Sequence, residues 1–344
     1  MKQKLFLLRN VLPVVLILSC CSSETAIQEI FSGSAEAPVF LDCRAISPTE
    51  ISFRFSQPVR MVSLFMDPSM EIQFIEEGEE ILVTLTEPLG AGERITADIL
   101  VEDEHRNTLN VLAPFRSRNN RLPDLFMNEI RTEGSNVNNA STAKVEFVEF
   151  LVKSSGNLGA LRLYAAGYSL TRPIYEFQPV EVEAGEYIVL HLRTPSPDCI
   201  DEISGDLSLS GGPEAIPGVR DFWVPGSAKL IHKTDALYLI DQDDRILDAV
   251  LLCEVTGSSW NKAYMGQAAE LIADQGKWFP SGGGDYLPGT YVLEPSDAVY
   301  SSSTTNTRSI SRDQNVKHEG RPENWYITAN SNATPGKQNS EKRY

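Results

Sequence analysis

Between residues 39 and 116 apolar side chains recur at every second position in short runs, and this period limits the fold more than any other feature of the chain. Ile51, Phe53 and Phe55 alternate with Ser52, Arg54 and Ser56. Ile72 and Phe74, then Ile81, Val83 and Leu85, repeat the device around an acidic turn at Glu76, Glu77, Gly78 and Glu79. Ile95, Ala97, Ile99 and Val101 follow Gly90, Ala91 and Gly92. Successive side chains of a strand point to opposite faces, so each run describes a strand with one buried and one solvated face. Several such strands separated by turn signals, with no helical period, predict a small β-sandwich.

Residues 117–123 are polar and basic without apolar periodicity and read as a linker. A second domain is expected over residues 124–340, with 341–344 as a tail. Its strands are read at residues 125–131, 145–153 and 187–190 and in a hairpin over 235–252 that turns at Asp241 to Arg245. Residues 145–153 carry apolar side chains on both faces, which suits a central strand. Long additions at residues 193–233 and 253–307 interrupt this pattern. The second addition holds the one convincing helix, residues 261–275, with Tyr264, Ala268, Leu271, Ile272 and Gln275 on its inner side and Gly276 at its end. The chain therefore reads as mainly β, two Ig-like β-sandwiches in tandem, the second with long loop insertions and one short helix. Loops on a rigid frame are the usual carriers of binding residues.

The N-terminus carries an address. Lys2, Lys4 and Arg9 precede an apolar run over residues 11–18, too short to span a bilayer as a helix but suited to the core of a secretory signal. The run ends in Ile17, Leu18, Ser19 and Cys20, which resembles the lipobox of bacterial lipoproteins. The resemblance implies cleavage after residue 19, lipid on Cys20 and a tether over residues 20–38, with Cys21 as a second choice of anchor. An uncleaved membrane helix is the plainer alternative. The formal net charge of −17 falls to −20 once Lys2, Lys4 and Arg9 are removed. Such acidity argues against nucleic acid as the main partner, because binding phosphate backbones depends on Lys and Arg displacing counterions.

Two further family resemblances follow from residue order. TEISFRFSQP at residues 49–58, Leu89 to Gly92, and Val101, Glu102 and Asp103 with Asn107 and Leu109 look like the SbsA-type bacterial Ig-like domain, which implies a spacer over residues 39–116. Arg106 stands where that family usually has Gly. Asn128, Glu129 and Ile130, then Glu146 to Phe150, the strand after Gly185, the run from Asp235, residues 309–312, Trp325, and Thr334, Pro335 and Gly336 with Asn339 resemble the lamin-tail domain, which implies an Ig-like sandwich.

Chemistry is sparse. No nucleophile-elbow, zinc-protease, phosphate-loop or dinucleotide motif occurs, and His105, His191, His232 and His318 are scattered. His191 reads as a half-buried structural residue of a strand. Glu129, Glu146 and Glu149 could pair for acid–base work or hold a cation, but Glu146 and Glu149, three apart on one strand, point to opposite faces. The favoured reading gives each an Arg such as Arg131 or Arg162, or a place at an edge in water. Asp241, Asp243 and Asp244 are weak metal candidates that read better as a solvated turn. Cys199 and Cys253 are the expected disulfide if one forms, with buried free thiols nearly as well supported. Trp223, Trp260, Trp278 and Trp325 offer stacking surfaces only if exposed.

The reading is thus a non-enzymatic envelope lipoprotein without cofactor, held on a membrane (the outer membrane being expected) by its N-terminal lipid and binding a protein or glycan. A metal-dependent, nuclease-like envelope hydrolase and a purely structural scaffold are the alternatives. Cys20→Ala is expected to abolish metabolic lipid labelling and to release the chain into the soluble fraction; continued labelling, or retention on membranes, would remove the anchor.

Overall fold

The computed structural model describes residues 36–284, 287 and 292–344, so the expected signal segment, Cys20 and Cys21 lie outside the described residues. The first unit comprises β1 (Phe40–Ser47), β2 (Glu50–Asp67), β3 (Ile72–Glu76), β4 (Gly78–Leu85), β5 (Arg94–Glu102) and β6 (Thr108–Arg116). All pairings are antiparallel, in the order β3-β4-β2-β5-β6, with β1 also on β2. The 18 residues of β2 serve two layers: its first part pairs with β1 and β4, and beyond a register shift between Arg54 and Val59 it pairs with β5. Pro58 lies within that shift, where the missing N–H interrupts no ladder. The alternating residues Ile51, Phe53, Ile81, Val83, Ile95, Ala97, Ile99 and Val101 are fully buried between the layers. Phe74 departs from the pattern and is 60% exposed, because β3 pairs only with β4 and a register irregularity after Ile72 turns it outward.

The second unit contains β7 (Asp124–Arg131), β8 (Phe147–Ser154), β9 (Gly156–Asn157), β10 (Arg162–Ala165), β11 (Tyr175–Glu176), β12 (Glu181–Val182), β13 (Tyr187–His191), β14 (Arg220–Trp223), β15 (Asp235–Ile240), β16 (Ile246–Cys253), helix α1 (Ala263–Asp274), β17 (Val299–Tyr300), β18 (Ile310–Arg312) and β19 (Trp325–Ile327). A five-stranded sheet, β11-β10-β15-β16-β17, shares one core with a six-stranded sheet, β14-β13-β8-β7-β18-β19, while β12 and β9 form a small ribbon. Val148, Phe150 and Val152 of β8 enter that core, whereas Phe147 belongs to a separate apolar cluster with Val189 and Val219. Strand β8 is therefore central and loaded on both faces. The chain is mainly β throughout.

Helix α1 covers β15 and β16. Its buried stripe is Met265, Ala268, Ala269, Ile272 and Ala273, while Leu271 is 40% exposed. The expected face was turned by about one position: Met265, Ala268, Ala269 and Ile272 follow the i, i+3, i+4, i+7 rule, and their small members let the helix lie close to the sheet. The helix stops in a left-handed residue, Gly276 at φ 67°. There the amides of Gly276 and Lys277 donate to the carbonyls of Ala273 and Ile272, closing the helix end.

Residues 117–123 are polar and basic, yet they are built into the protein. Ser117 and Asn119 are 1% exposed. The Asn119 amide donates to the carbonyls of Asn157 (2.7 Å) and Gly159 (2.8 Å), and its backbone exchanges hydrogen bonds with the Gln242 amide. Arg116 pairs with Glu176, and Arg118 grips Asp243 at 2.9 and 2.8 Å. Gly92, at φ +69°, packs so closely that a Cβ there would lie 2.5 Å from the Gly159 backbone. The two units therefore meet through a fixed polar seam. Asn119→Ala leaves two buried carbonyls without their donor and is expected to lower unfolding free energy by about 1–3 kcal/mol in urea titrations. Arg118→Ala, at a partly exposed pair, is expected to cost no more than about 1 kcal/mol.

Candidate functional site

Asn128, Glu129, Glu149, Trp325, Gly336 and Asn339 converge, but inside the fold. Strand register aligns Asp221, Val189, Glu149, Glu129, Ser311 and Tyr326 as one row across the six-stranded sheet. A register shift between Met127 and Glu129 leaves Asn128 as the extra residue and sets Glu129 directly opposite Glu149. Both carboxylates are fully buried. Glu129 accepts hydrogen bonds from the Ser309 hydroxyl and from the Thr334 amide (3.0 Å) and hydroxyl (3.1 Å). Glu149 accepts from the Asn128 amide group at 2.6 Å and from the Gly336 backbone. Asn339 donates to the Asn128 carbonyl (3.1 Å) and the Arg312 carbonyl (2.9 Å), and Trp325, 6% exposed, lies under the Arg312 guanidinium. Pro335 sits between the two anchored residues, Thr334 and Gly336. This constellation clasps the last segment of the chain onto the sheet.

Neither Glu129 nor Glu149 meets a guanidinium, contrary to the expectation. Arg131 is turned to the Val145 carbonyl and Glu214, and Arg162 to Asp244 and the Asp241 carbonyl. Burial raises the pKa of Glu129, and burial together with the Glu129 charge raises that of Glu149 well above the ordinary carboxylate value. Glu146 does find an arginine: Arg193 bonds both of its oxygens at 2.6 and 2.9 Å in a nearly dry pair.

The acidic turn is consumed by arginines from three segments. Asp241 is fully buried and accepts from the amides of Asp243 and Arg245 and from the Arg245 side chain; Asp243 holds Arg118; Asp244 holds Arg162. Its carboxylates serve as a crosslink, which corrects the metal candidacy; Asp243 and Asp244 remain exposed, as a solvated turn requires, and only Asp241 is buried. Among the described residues no cluster of three or more His, Cys, Asp or Glu is arranged to hold a metal.

Cys199 and Cys253 are free thiols, which corrects the expected disulfide. Cys253 is buried in the main core beside β17, whereas Cys199 packs with Trp223 in a separate cluster on the outer side of the other sheet. Trp223, Trp278 and Trp325 are buried, so they offer no open stacking surface. His191 is fully rather than half buried; its Nε2 donates to Asp221 at 2.7 Å and its ring stacks on Trp223 at 3.8 Å. His318 accepts from Arg312 through Nδ1 and reaches Asp248 through Nε2 at 3.3 Å, which ties it into the buried Arg312–Asp248 pair.

One open cleft is assembled by both insertions. Its volume is about 520 Å³, and its walls are Lys229, His232 and Lys233 from the first insertion, Glu254, Thr304, Thr305 and Asn306 from the second, and Glu133 and Gly134 after β7. Lys229 meets Glu133 at 2.9 Å, and Lys233 donates to the Ser302 carbonyl at 3.0 Å. Partial desolvation and the neighbouring Lys229 charge hold the His232 imidazole below its ordinary pKa. Ammonium, imidazole, carboxylate, hydroxyl and amide groups in one hollow suit recognition of a polar ligand by hydrogen bonds and charge. Apart from the lengths of the two insertions nothing along the chain marks this site, because its walls come from three distant segments.

The family model TP_1001_2nd, described as "protein second domain", matches residues 123–327. An uncharacterized protein of Treponema pallidum (strain Nichols) is 27% identical over 197 residues, covering 54% of this chain and 48% of that protein. The chain thus spans about half the length of the curated relative it matches. Among solved structures, the N-terminal part of the bacterial S-layer protein SbsC aligns over 67% of this chain and 47% of its own, with 13% identity and a TM-score of 0.25. A DUF4876 family protein from Bacteroides thetaiotaomicron VPI-5482 aligns over 83% and 88%, with 10% identity and a TM-score of 0.26.

Arg193→Ala would strand the buried Glu146 carboxylate and is expected to destabilise the chain by about 3–5 kcal/mol in denaturant titrations. Asp243→Asn, at a partly exposed pair, should change stability by no more than about 1 kcal/mol. Calcium titrated onto the wild type is expected to leave its melting temperature unmoved, and a calcium-dependent rise abolished by Asp243→Asn would restore the acidic turn as a metal site.

Proposed function

The chain belongs to the TP_1001_2nd family through residues 123–327, and we propose that this domain, lamin-tail-like in its residue pattern, is a non-enzymatic binding module of a cell-envelope lipoprotein. Lipid on Cys20 would hold it at the membrane, and the β1–β6 unit would serve as the stalk. The ligand is a polar protein segment or glycan. One observation carries this reading: the two insertions that set the second unit apart from a compact sandwich converge on a single polar cleft, while the pattern residues they interrupt are spent inside the fold. The hydrolase alternative loses its three carboxylates to internal partners, since Glu129 and Glu149 hold the C-terminal segment and Glu146 holds Arg193.

A purely structural scaffold is the second reading. It is favoured by the polar seam between the units, which gives the chain the stiffness of a spacer. Charge reversal separates the two. In the full chain, Lys229→Glu with Lys233→Glu is expected to weaken binding to glycan arrays or solubilised envelope fractions at least about tenfold, or about 1.4 kcal/mol, while loss of the partly exposed Lys229–Glu133 and Lys233–Ser302 contacts costs no more than about 1 kcal/mol each in stability. Identical capture by wild type and variant would exclude the cleft. No saturable capture by either, with altered envelope integrity on deletion, would favour the scaffold. Protease shaving of intact cells reports which side of the membrane the module faces.

A further inference from the structure

The segment after β19 lies over the outer face of the six-stranded sheet, held by Asn339 and Tyr326 and, at Thr334 and Gly336, by two carboxylates that form no ion pair. Thr334 is fixed by Glu129 and Gly336 by Glu149. The two glutamates are opposite one another on adjacent strands, both at 0% exposure. Two carboxylates so placed in a dry site cannot both carry full charge cheaply, since each pays desolvation and each repels the other. A third group points the same way. Ser311 pairs with Glu129 in register, so its hydroxyl emerges on the same face; it is fully buried and makes no hydrogen bond.

The charged and titratable groups around the pair come from β7, β13, β14 and β19 and from the strap. On β7, the Arg131 guanidinium is held by the Val145 carbonyl and Glu214. On β13, Tyr187 faces Glu149, and on β14 Asp221 is engaged by His191. On β19, Tyr326 faces Glu129 and donates to the Ser340 carbonyl, with Asp313, Arg343 and Glu341 beyond it. The nearest cation, Arg131, lowers the Glu129 pKa but spends its ion pair on Glu214, and none of these groups forms an ion pair with Glu129 or Glu149.

We propose that Glu129 and Glu149 bind one shared proton in the folded protein, and that its loss as pH rises releases the C-terminal strap from the sheet. The chemistry is a simple exchange: one carboxylic acid becomes a carboxylate and the proton passes to water. The sign follows from burial, which raises the affinity of the folded state for the proton above that of the unfolded chain. The closed strap is therefore fully stabilised in acid, below the ordinary carboxylate range, and its stabilisation is lost as pH climbs through the raised folded-state value.

Hydrogen exchange of the Thr334 and Gly336 amides in the full chain, corrected for intrinsic base catalysis, reads the opening directly. Between the ordinary carboxylate range and the raised folded-state value, opening is expected to increase about tenfold per pH unit, as one proton bound only by the closed form requires, and to level off above it, while amides of β8 stay protected. Glu149→Gln is expected to remove this dependence. Infrared spectra of the wild type give a reading that needs no variant: a buried carboxylic-acid carbonyl band, present at the acid end in deuterated buffer, should disappear as pH passes the raised folded-state value, where the opening levels off. Protection that does not vary with pH, the same dependence in Glu149→Gln, or no such band would each overturn the shared proton.

Discussion

Glu129 and Thr334 stand 205 residues apart in the chain, and the hydrogen bonds between them close the second unit. Strands β18 and β19 complete the six-stranded sheet beside β7, and the segment that follows turns back over the row formed by Glu149, Glu129 and Ser311. The sheet's inner face is held by ordinary apolar burial against the five-stranded sheet. Its outer face sets the apolar Phe147 and Val189 beside a polar row, whose groups would need water unless something covered and satisfied them. The strap and the 193–233 insertion do this, and the loops around them depend on the same coverage: Gly336 packs on Val219, and Trp223 packs between His191 and the Cys199 loop.

An acidic chain of −17 would be expected to spread its carboxylates in solvent. This protein uses many of them as internal connectors. Arg312 and Asp248 form a buried pair between β18 and β16, Arg193 and Glu146 join two loop segments, and Arg220 and Glu186 tie β14 to the turn before β13. Pairs of this kind add little net stability, because desolvation offsets their attraction, but breaking one leaves a buried charge. Their contribution is to fix which loop lies against which strand. The seam between the two units is built the same way, with Arg116, Arg118 and Asn119 finding their partners in the second unit.

The alternation at Ile51, Phe53 and Phe55 and the runs at 81–85 and 95–101 gave the strands of the first unit because half-buried strands write their environment at a period of two. The hairpin over Asp235–Cys253 and the central position of β8 were legible for the same reason. The face of α1 was misread by about one position, since Met265 and Ala269 look no more apolar than Tyr264 and Leu271 until the sheet beneath them is known. The linker was misread more seriously. Arg118 and Asn119 look like solvent-facing residues, and only the arrival of Asp243, Asn157 and Gly159 from the second unit makes them buried or paired.

By itself the sequence determined a mainly β chain, the place of its hairpin and helix, and the order of the pattern residues from Asn128 to Asn339, because period, turn chemistry and composition are local properties. Tertiary structure alone decided what those residues do. Whether Glu129 meets a guanidinium, a metal or a backbone amide depends on which distant segment folds over it, and a side chain carries no record of that partner. The same holds for Cys199 and Cys253, whose separation into two clusters rules out a bond between them. It holds also for the polar cleft, whose walls exist only after both insertions have returned to one end of the sheet.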